Sequence, residues 1–248
     1  MSIPKVLHFI WVGDEEKRPD ACFETWRRLN PEFEIRVWGN DEYNTYPWRT
    51  KRHMQAMWDT RQLFGVADLM RWEILASEGG FALDADSIAV RALPDWLFEC
   101  TAFACWENEL ASPGLIANGY FACKPGDRMV THLVETFEAR RDLATRFVWY
   151  ELRHKTVAAW KSVGPRALTS AFHELNYSEL TVLPSHFFCP RHLTVEQYHG
   201  SGPAYCDQLF ASSRPDGYAE LKLHEQSPDE LIAMARKRLG LLADIKQT

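Results

Sequence analysis

Two carboxylates one residue apart, Asp84 and Asp86 in Gly79-Gly80-Phe81-Ala82-Leu83-Asp84-Ala85-Asp86, follow directly on a short apolar run. Side chains at i and i+2 share one face of a strand. If the chain turns there instead, the two converge on a loop. In either geometry two neighbouring anions repel unless something offsets their charge. A hard divalent cation such as Mg²⁺ or Mn²⁺ does so through oxygen ligands, and it is usually held by a few carboxylates together with substrate phosphates. An isolated Asp-x-Asp is also a common solvated turn, so its position matters. This pair stands at the C-terminal end of an expected parallel strand, where open α/β sheets bind ligands.

One helix earlier, Asp68 and Arg71 are three residues apart and share a helix face. At the surface such a pair contributes at most about 1 kcal/mol. Facing a ligand, Asp68 accepts a hydrogen bond from a ribose or sugar hydroxyl while Arg71 stabilises nearby anions. Trp11 ends the run His8-Phe9-Ile10-Trp11-Val12-Gly13. It is either a core residue or a stacking surface for a nucleobase, with Gly13 allowing close backbone approach.

The elements that must position these residues read as follows. Val6 to Val12 is a buried first strand closed by Gly13-Asp14. Residues 20–29 have helical spacing and end at Asn30-Pro31, Phe33 to Trp38 is a second strand, and Gly39-Asn40-Asp41 is a turn. Strand, helix and strand make a βαβ unit and so a parallel sheet covered by helices. Residues 50–78 read as mostly helical up to Gly79-Gly80, followed by the strand Phe81-Ala82-Leu83. Phe103–Trp106, Tyr120–Cys123 and Leu180–Leu183 are further strands, and 128–160 and 166–175 are helical. Residues 185–217 read as loop, and 228–243 as a terminal helix opened by Ser227 and Glu230 at capping-box spacing. The fold class is α/β.

Composition sets the outer bounds. The chain has 248 residues, 46% hydrophobic and 25% charged, with net charge −6, so it can build a large core and lacks the basic excess of a non-specific nucleic-acid binder. The six cysteines make no CxxC pair and read as reduced, partly buried thiols of a cytoplasmic protein. No run approaches the roughly 18 apolar residues of a membrane span, and no signal segment or transmembrane segment is expected.

Taken in order, these strings resemble glycosyltransferase family 32, whose sugar-binding region contains a DXD motif. That family includes outer-chain mannosyltransferases and capsule and lipopolysaccharide enzymes, and the catalytic domains of clostridial glucosylating toxins look similar at the same motifs. The strings are Ile3-Pro4-Lys5 with His8 to Gly13, Ala67-Asp68 with Arg71, Gly79-Gly80 with Asp84-Ala85-Asp86, Asn118-Gly119, Lys124-Pro125-Gly126, and Gly164-Pro165 with Leu168-Thr169. The resemblance implies a GT-A fold, with a Rossmann-like, mostly parallel sheet flanked by helices and helical additions. It implies one domain over 1–248, with a donor-binding part to about residue 125 and a helical acceptor and lid part from about 126.

It also implies a retaining transfer from a nucleotide-sugar, UDP-sugar before GDP-mannose. The acceptor would be a glycan, a lipid-linked sugar, a protein or a modified nucleobase. Trp11 would stack on the base, Asp68 would contact the ribose or sugar, and Arg71 would face the donor. Asp84 would contact the ribose and the metal shell, and Asp86 would bind Mn²⁺ or Mg²⁺ directly. Asp86 and Arg71 would carry the catalysis. Apart from the resemblance, Glu107 and Asn118 are candidates to face the acceptor. The chain departs from the pattern at Ala82, where an aromatic residue is common, and at Phe210, where Trp is usual. The late segment also lacks a His, leaving Asp207, Ser212 or Ser213 as the oxygen ligand and His192 or His199 as phosphate contacts. Two rival readings share the Asp pair: a metal-dependent phosphohydrolase or nucleotidyltransferase, and a non-catalytic nucleotide- or carbohydrate-binding module.

Overall fold

The computed structural model describes residues 2–149, 152–193, 198–211, 217–218 and 226–241. In chain order its strands are β1 (Val6–Ile10), β2 (Glu34–Trp38), β3 (Gly80–Leu83), β4 (Ser87–Ala89), β5 (Ala102–Asn108), β6 (Ser112–Cys123), β7 (Thr145–Val148), β8 (Arg153–Thr156), β9 (Leu180–Leu183) and β10 (Cys206–Gln208). The α-helices are α1 (Asp20–Leu29), α2 (Asn40–Thr45), α3 (Lys51–Asp59), α4 (Leu63–Glu78), α5 (Arg128–Ala139), α6 (Ala159–Ser162), α7 (Pro165–Glu174) and α8 (Pro228–Arg238). Six strands form one sheet in the order β2-β1-β3-β6-β5-β9. β1 runs parallel to β2 and β3, β5 runs parallel to β9, and β6 alone is antiparallel to its neighbours β3 and β5. The architecture is mixed α/β with a mostly parallel sheet flanked by helices.

Both sheet faces are apolar, and the strand period of two sorts side chains between them. Phe81, Phe103 and Tyr120 pack on one face with Phe9, Trp26 and Phe188. Ala82, Ala104 and Phe121 pack on the other with Trp72, Met70 and Leu133. The small residues let α4 lie close to the sheet, and this helix is buried over most of its length. Its exit is tight. Gly79 and Gly80 both have positive φ, 66° and 92°. A Cβ on Gly80 would stand 2.8 Å from Val6 O and from His8 Nε2. The helix that carries Asp68 and Arg71 is thereby joined without slack to the strand that delivers Asp84 and Asp86.

Three expectations need correction. The helix expected through residue 160 stops at Ala139. Asp142 accepts from the Ala144 and Thr145 amides and from the Thr145 hydroxyl, a local turn that starts the β7–β8 hairpin instead. Gly39-Asn40-Asp41 opens α2 rather than a turn, with Glu42 accepting from the Gly39 amide 2.7 Å away. Asn40 uses both ends of its amide on Gly13, at 2.8 Å each, and so fixes the loop after β1. Within the expected loop 185–217, β10 pairs antiparallel with β4. The terminal helix does carry its capping box at Ser227 and Glu230. None of the six cysteines is disulfide-bonded, and no helix among the described residues is long and apolar enough to cross a membrane.

His8 pins the parallel junction. Its Nε2–H donates to Gly79 O at 2.9 Å, and its Nδ1 accepts from Trp38 Nε1–H at 3.1 Å. Burial holds its pKa down to about 4, against 6.5 for the free side chain. The unfolded chain therefore binds the extra proton first, so this contribution to stability is present above pH 6.5 and is lost as pH falls toward 4. Its full size is about 3 kcal/mol. Denaturant unfolding of wild type and His8→Gln between pH 7 and 4.5 should converge as pH falls. A constant gap across that range would rule out His8 as the titrating group.

Candidate active site

The Arg71 guanidinium is the hub of the site. Its Nη2 donates to Asp84 Oδ1 at 2.6 Å, and its Nη1 donates to the Asn118 carbonyl at 2.6 Å and to Asp68 Oδ1 at 3.4 Å. The side chain is only 5% exposed, so the Asp68–Arg71 pair is not a solvated surface pair. Asn118 Nδ2 donates to Asp68 Oδ1 at 2.6 Å. Burial pushes the Asp68 carboxyl up to about 7, opposed by Arg71 and by the Asn118 hydrogen bond. The Asn118 side chain is thus committed to Asp68.

Gly119 shows how tightly this cluster is built. A Cβ there would fall 2.5 Å from Asp84 Oδ2. The Asp84 amide donates to Gly119 O at 3.0 Å, and the Ser87 hydroxyl donates to Asp84 O at 2.8 Å. The chain turns between β3 and β4, so Asp84 and Asp86 lie on a loop at the end of a central strand, as the convergent alternative requires.

Gln208 bridges the two carboxylates. Its Nε2 lies 3.1 Å from Asp84 Oδ2 and 3.1 Å from Asp86 Oδ1. Asp86 Oδ2 accepts from the Ala211 amide at 2.6 Å. Asp86 is almost fully buried, and burial followed by the Asp84 charge pushes its pKa up to about 6. Two oxygens, one from each carboxylate, therefore face a single donor atom. Asp207 points away from them, because neighbouring residues of a strand alternate faces. Its fully buried carboxylate pairs with Arg191 at 2.6 Å and Arg238 at 2.7 Å, so it ties β10 to α8. It is not placed as an oxygen ligand.

These groups line a cavity of about 650 Å³. Trp11 stands in its wall, half-buried, with Nε1 donating to Asp14 O and its ring meeting Tyr218 edge-on at 4.8 Å. Glu107 lines the cavity and lies 3.5 Å from His192 Nε2. Phe210 also lines it. His199 is exposed and forms no part of the wall. Ser212 and Ser213 lie outside the described residues. Trp11, Asp68, Arg71, Asp84, Asp86 and Asn118, chosen from the sequence, thus share one cavity. Gln208, Tyr218 and the Ala211 amide were not singled out, because each reaches the site only through pairings remote in sequence.

Residues 16–102 match the family model described as "Glycosyltransferase sugar-binding region containing DXD motif". This is the family that the sequence motifs resemble. Among solved structures, the chain is similar to one titled "PaToxG Glycosyltransferase", with TM-score 0.53 and 16% identity, covering 70% of each chain. It is similar also to the ligand-free glycosyltransferase domain from the YGT toxin, with TM-score 0.51 and 8% identity, covering 73% of this chain and 80% of that one. The fold is GT-A. A curated relative, "Subversion of eukaryotic traffic protein A" of Legionella pneumophila, is 24% identical over an alignment of 163 residues that covers 55% of this chain and 25% of that protein. The chain therefore matches only about a quarter of that relative's length.

Within this GT-A fold, removing the hub strands the buried Asp68 and deprives the partly exposed Asp84 of its charge partner. Breaking a buried pair by deleting one partner costs about 3–5 kcal/mol. Arg71→Ala should lose stability in that range by chemical denaturation, and Asp68→Asn in the same chain should recover part of it. A loss below about 1 kcal/mol, the range of exposed pairs, would contradict the buried-hub geometry.

Proposed function

We propose that the chain is a metal-dependent, retaining glycosyltransferase that takes its sugar from a nucleotide-sugar, UDP-sugar before GDP-mannose. The observation that carries this is the convergence of Asp84 and Asp86 on one point in the floor of the cavity, with Trp11 in its wall. In this reading Trp11 stacks on the base, Asp68 holds a ribose or sugar hydroxyl, and Arg71, hydrogen-bonded to Asp84, keeps that carboxylate turned to the ribose. The part to about residue 125 carries the donor. The remainder supplies the lid and the acceptor side, and Glu107 of the first part lies toward the acceptor.

The donor set fits a divalent cation. Two carboxylate oxygens already share one neighbour, and both acids are held by hydrogen bonds that leave those oxygens facing each other. Asp84 and Asp86 would hold Mn²⁺ or Mg²⁺, which supplies Lewis-acid stabilisation of the charge that builds on a departing diphosphate. The protein's own contribution is orientation and exclusion of water. Phe210 lines the cavity and Leu193 and Trp160 flank it half-exposed, where they keep solvent from a reactive donor. The free thiols suit a reducing, cytoplasmic setting. A two-metal hydrolase needs more clustered ligands, and among the described residues no group of three His, Cys, Asp or Glu side chains is placed to hold a metal.

Purified protein should release UDP or GDP from one member of a nucleotide-sugar panel with Mn²⁺, and chelator should stop it. Asp86→Ala should lower that rate by about 100-fold or more. Trp11→Ala should weaken nucleotide binding by about tenfold. No release from any donor, together with no metal-dependent nucleotide binding, would sink this reading. Metal-dependent binding without release, even with acceptor candidates added, would favour a binding module.

A further inference from the structure

Gln208 occupies the point where the two DXD carboxylates converge, and its amide has two usable ends. Nε2 faces Asp84 and Asp86 at 3.1 Å each, while Oε1 accepts from the Tyr120 hydroxyl. The terminal torsion of a glutamine is broad and roughly two-fold. Half a turn exchanges Oε1 and Nε2 and leaves the rest of the side chain in place. The far partner tolerates the exchange, because a tyrosine hydroxyl both donates and accepts: it donates to Oε1 in one state and accepts from Nε2 in the other. On the near side the exchange replaces a donor by a carbonyl oxygen. That oxygen is repelled by two bare carboxylates, but it suits a hard divalent cation set between them.

We propose that Gln208 is the third protein oxygen ligand of the cation held by Asp84 and Asp86, and that its amide turns over when the cation binds. The proposal rests on the metal reading of the Asp pair. Nearby alternatives among the described residues are already committed. Asp207 lies on the other face of β10 between Arg191 and Arg238, and Asp68 is held by Asn118 and Arg71. Gln208 is set in register by β10, opposite Ser87, the residue that follows Asp86. It is 4% exposed, and its amide is held between the two carboxylates and Tyr120. A neutral third ligand also leaves two carboxylate charges to balance the two charges of the cation. Without the cation, the amide hydrogens offset part of the pair's charge in its place.

The test is Mn²⁺ affinity of the full chain with UDP present, read by the electron paramagnetic resonance signal of free Mn²⁺. Asp86→Ala should weaken binding by about 100-fold or more, and Gln208→Ala by at least about tenfold, since loss of even an outer-shell partner costs about that much. Gln208→Glu, which restores an oxygen, should bind at least as tightly as wild type. Gln208→Met keeps the length without the oxygen and should behave as the alanine variant if that one fails to fold. Unchanged or tighter binding in Gln208→Ala would overturn the proposal, since a side chain that merely neutralises the acids competes with the cation. That result beside a loss in Asp86→Ala would leave the reading of the Asp pair intact, whereas no loss in Asp86→Ala would remove both.

Discussion

A single buried guanidinium decides where this site can be. Arg71 is held on a helix that the Gly79-Gly80 turn joins directly to β3, and it reaches the first carboxylate beyond that strand at 2.6 Å. The same group takes the Asn118 carbonyl from β6 and faces Asp68 one turn back on its own helix. Helix, central strand and antiparallel neighbour are therefore locked at one atom cluster. The small residues that let α4 approach the sheet, Ala82 and Ala104 among them, are part of the same requirement. The sheet's exit edge and the polar hub cannot be placed independently.

The hub does not balance the site. Asp68 and Asp84 share one guanidinium while Asp86 has none among its partners, and burial raises two of these acids, Asp68 to about 7 and Asp86 to about 6. The Gln208 amide and the Ala211 N–H offset part of the remaining charge as dipoles. In the proposed reaction a diphosphate would add further negative charge, which a divalent cation would complement. Its acids are already oriented by fixed donors, the orientation that the proposed cation would use.

The sequence made much of this legible and left out a definable part. The β1, α1, α4 and β9 segments announce themselves by periodicity, and Asp68, Arg71, Asp84 and Asp86 stand in local strings whose spacing carries chemistry. The buried state of the Asp68–Arg71 pair was not legible, since an i, i+3 ion pair looks the same on a solvated face. β10 was missed because Cys206-Asp207-Gln208 has no apolar alternation: its acid is made acceptable by Arg191 and Arg238, and its pairing partner β4 lies more than 100 residues earlier. In the sequence Gln208 therefore looks like any other loop residue. Helix propensity beyond Ala139 likewise gave way to the Asp142 turn, a side-chain contact that periodicity does not see.

The most direct measurement of the central claim is anomalous diffraction at the manganese edge from crystals grown with Mn²⁺ and UDP. The account predicts one strong anomalous peak between the Asp84 and Asp86 carboxylates, within ligand distance of Asp86 and of the Gln208 side chain, with the base of the nucleotide against Trp11. Nucleotide bound in the cavity with no manganese at the Asp pair would contradict it.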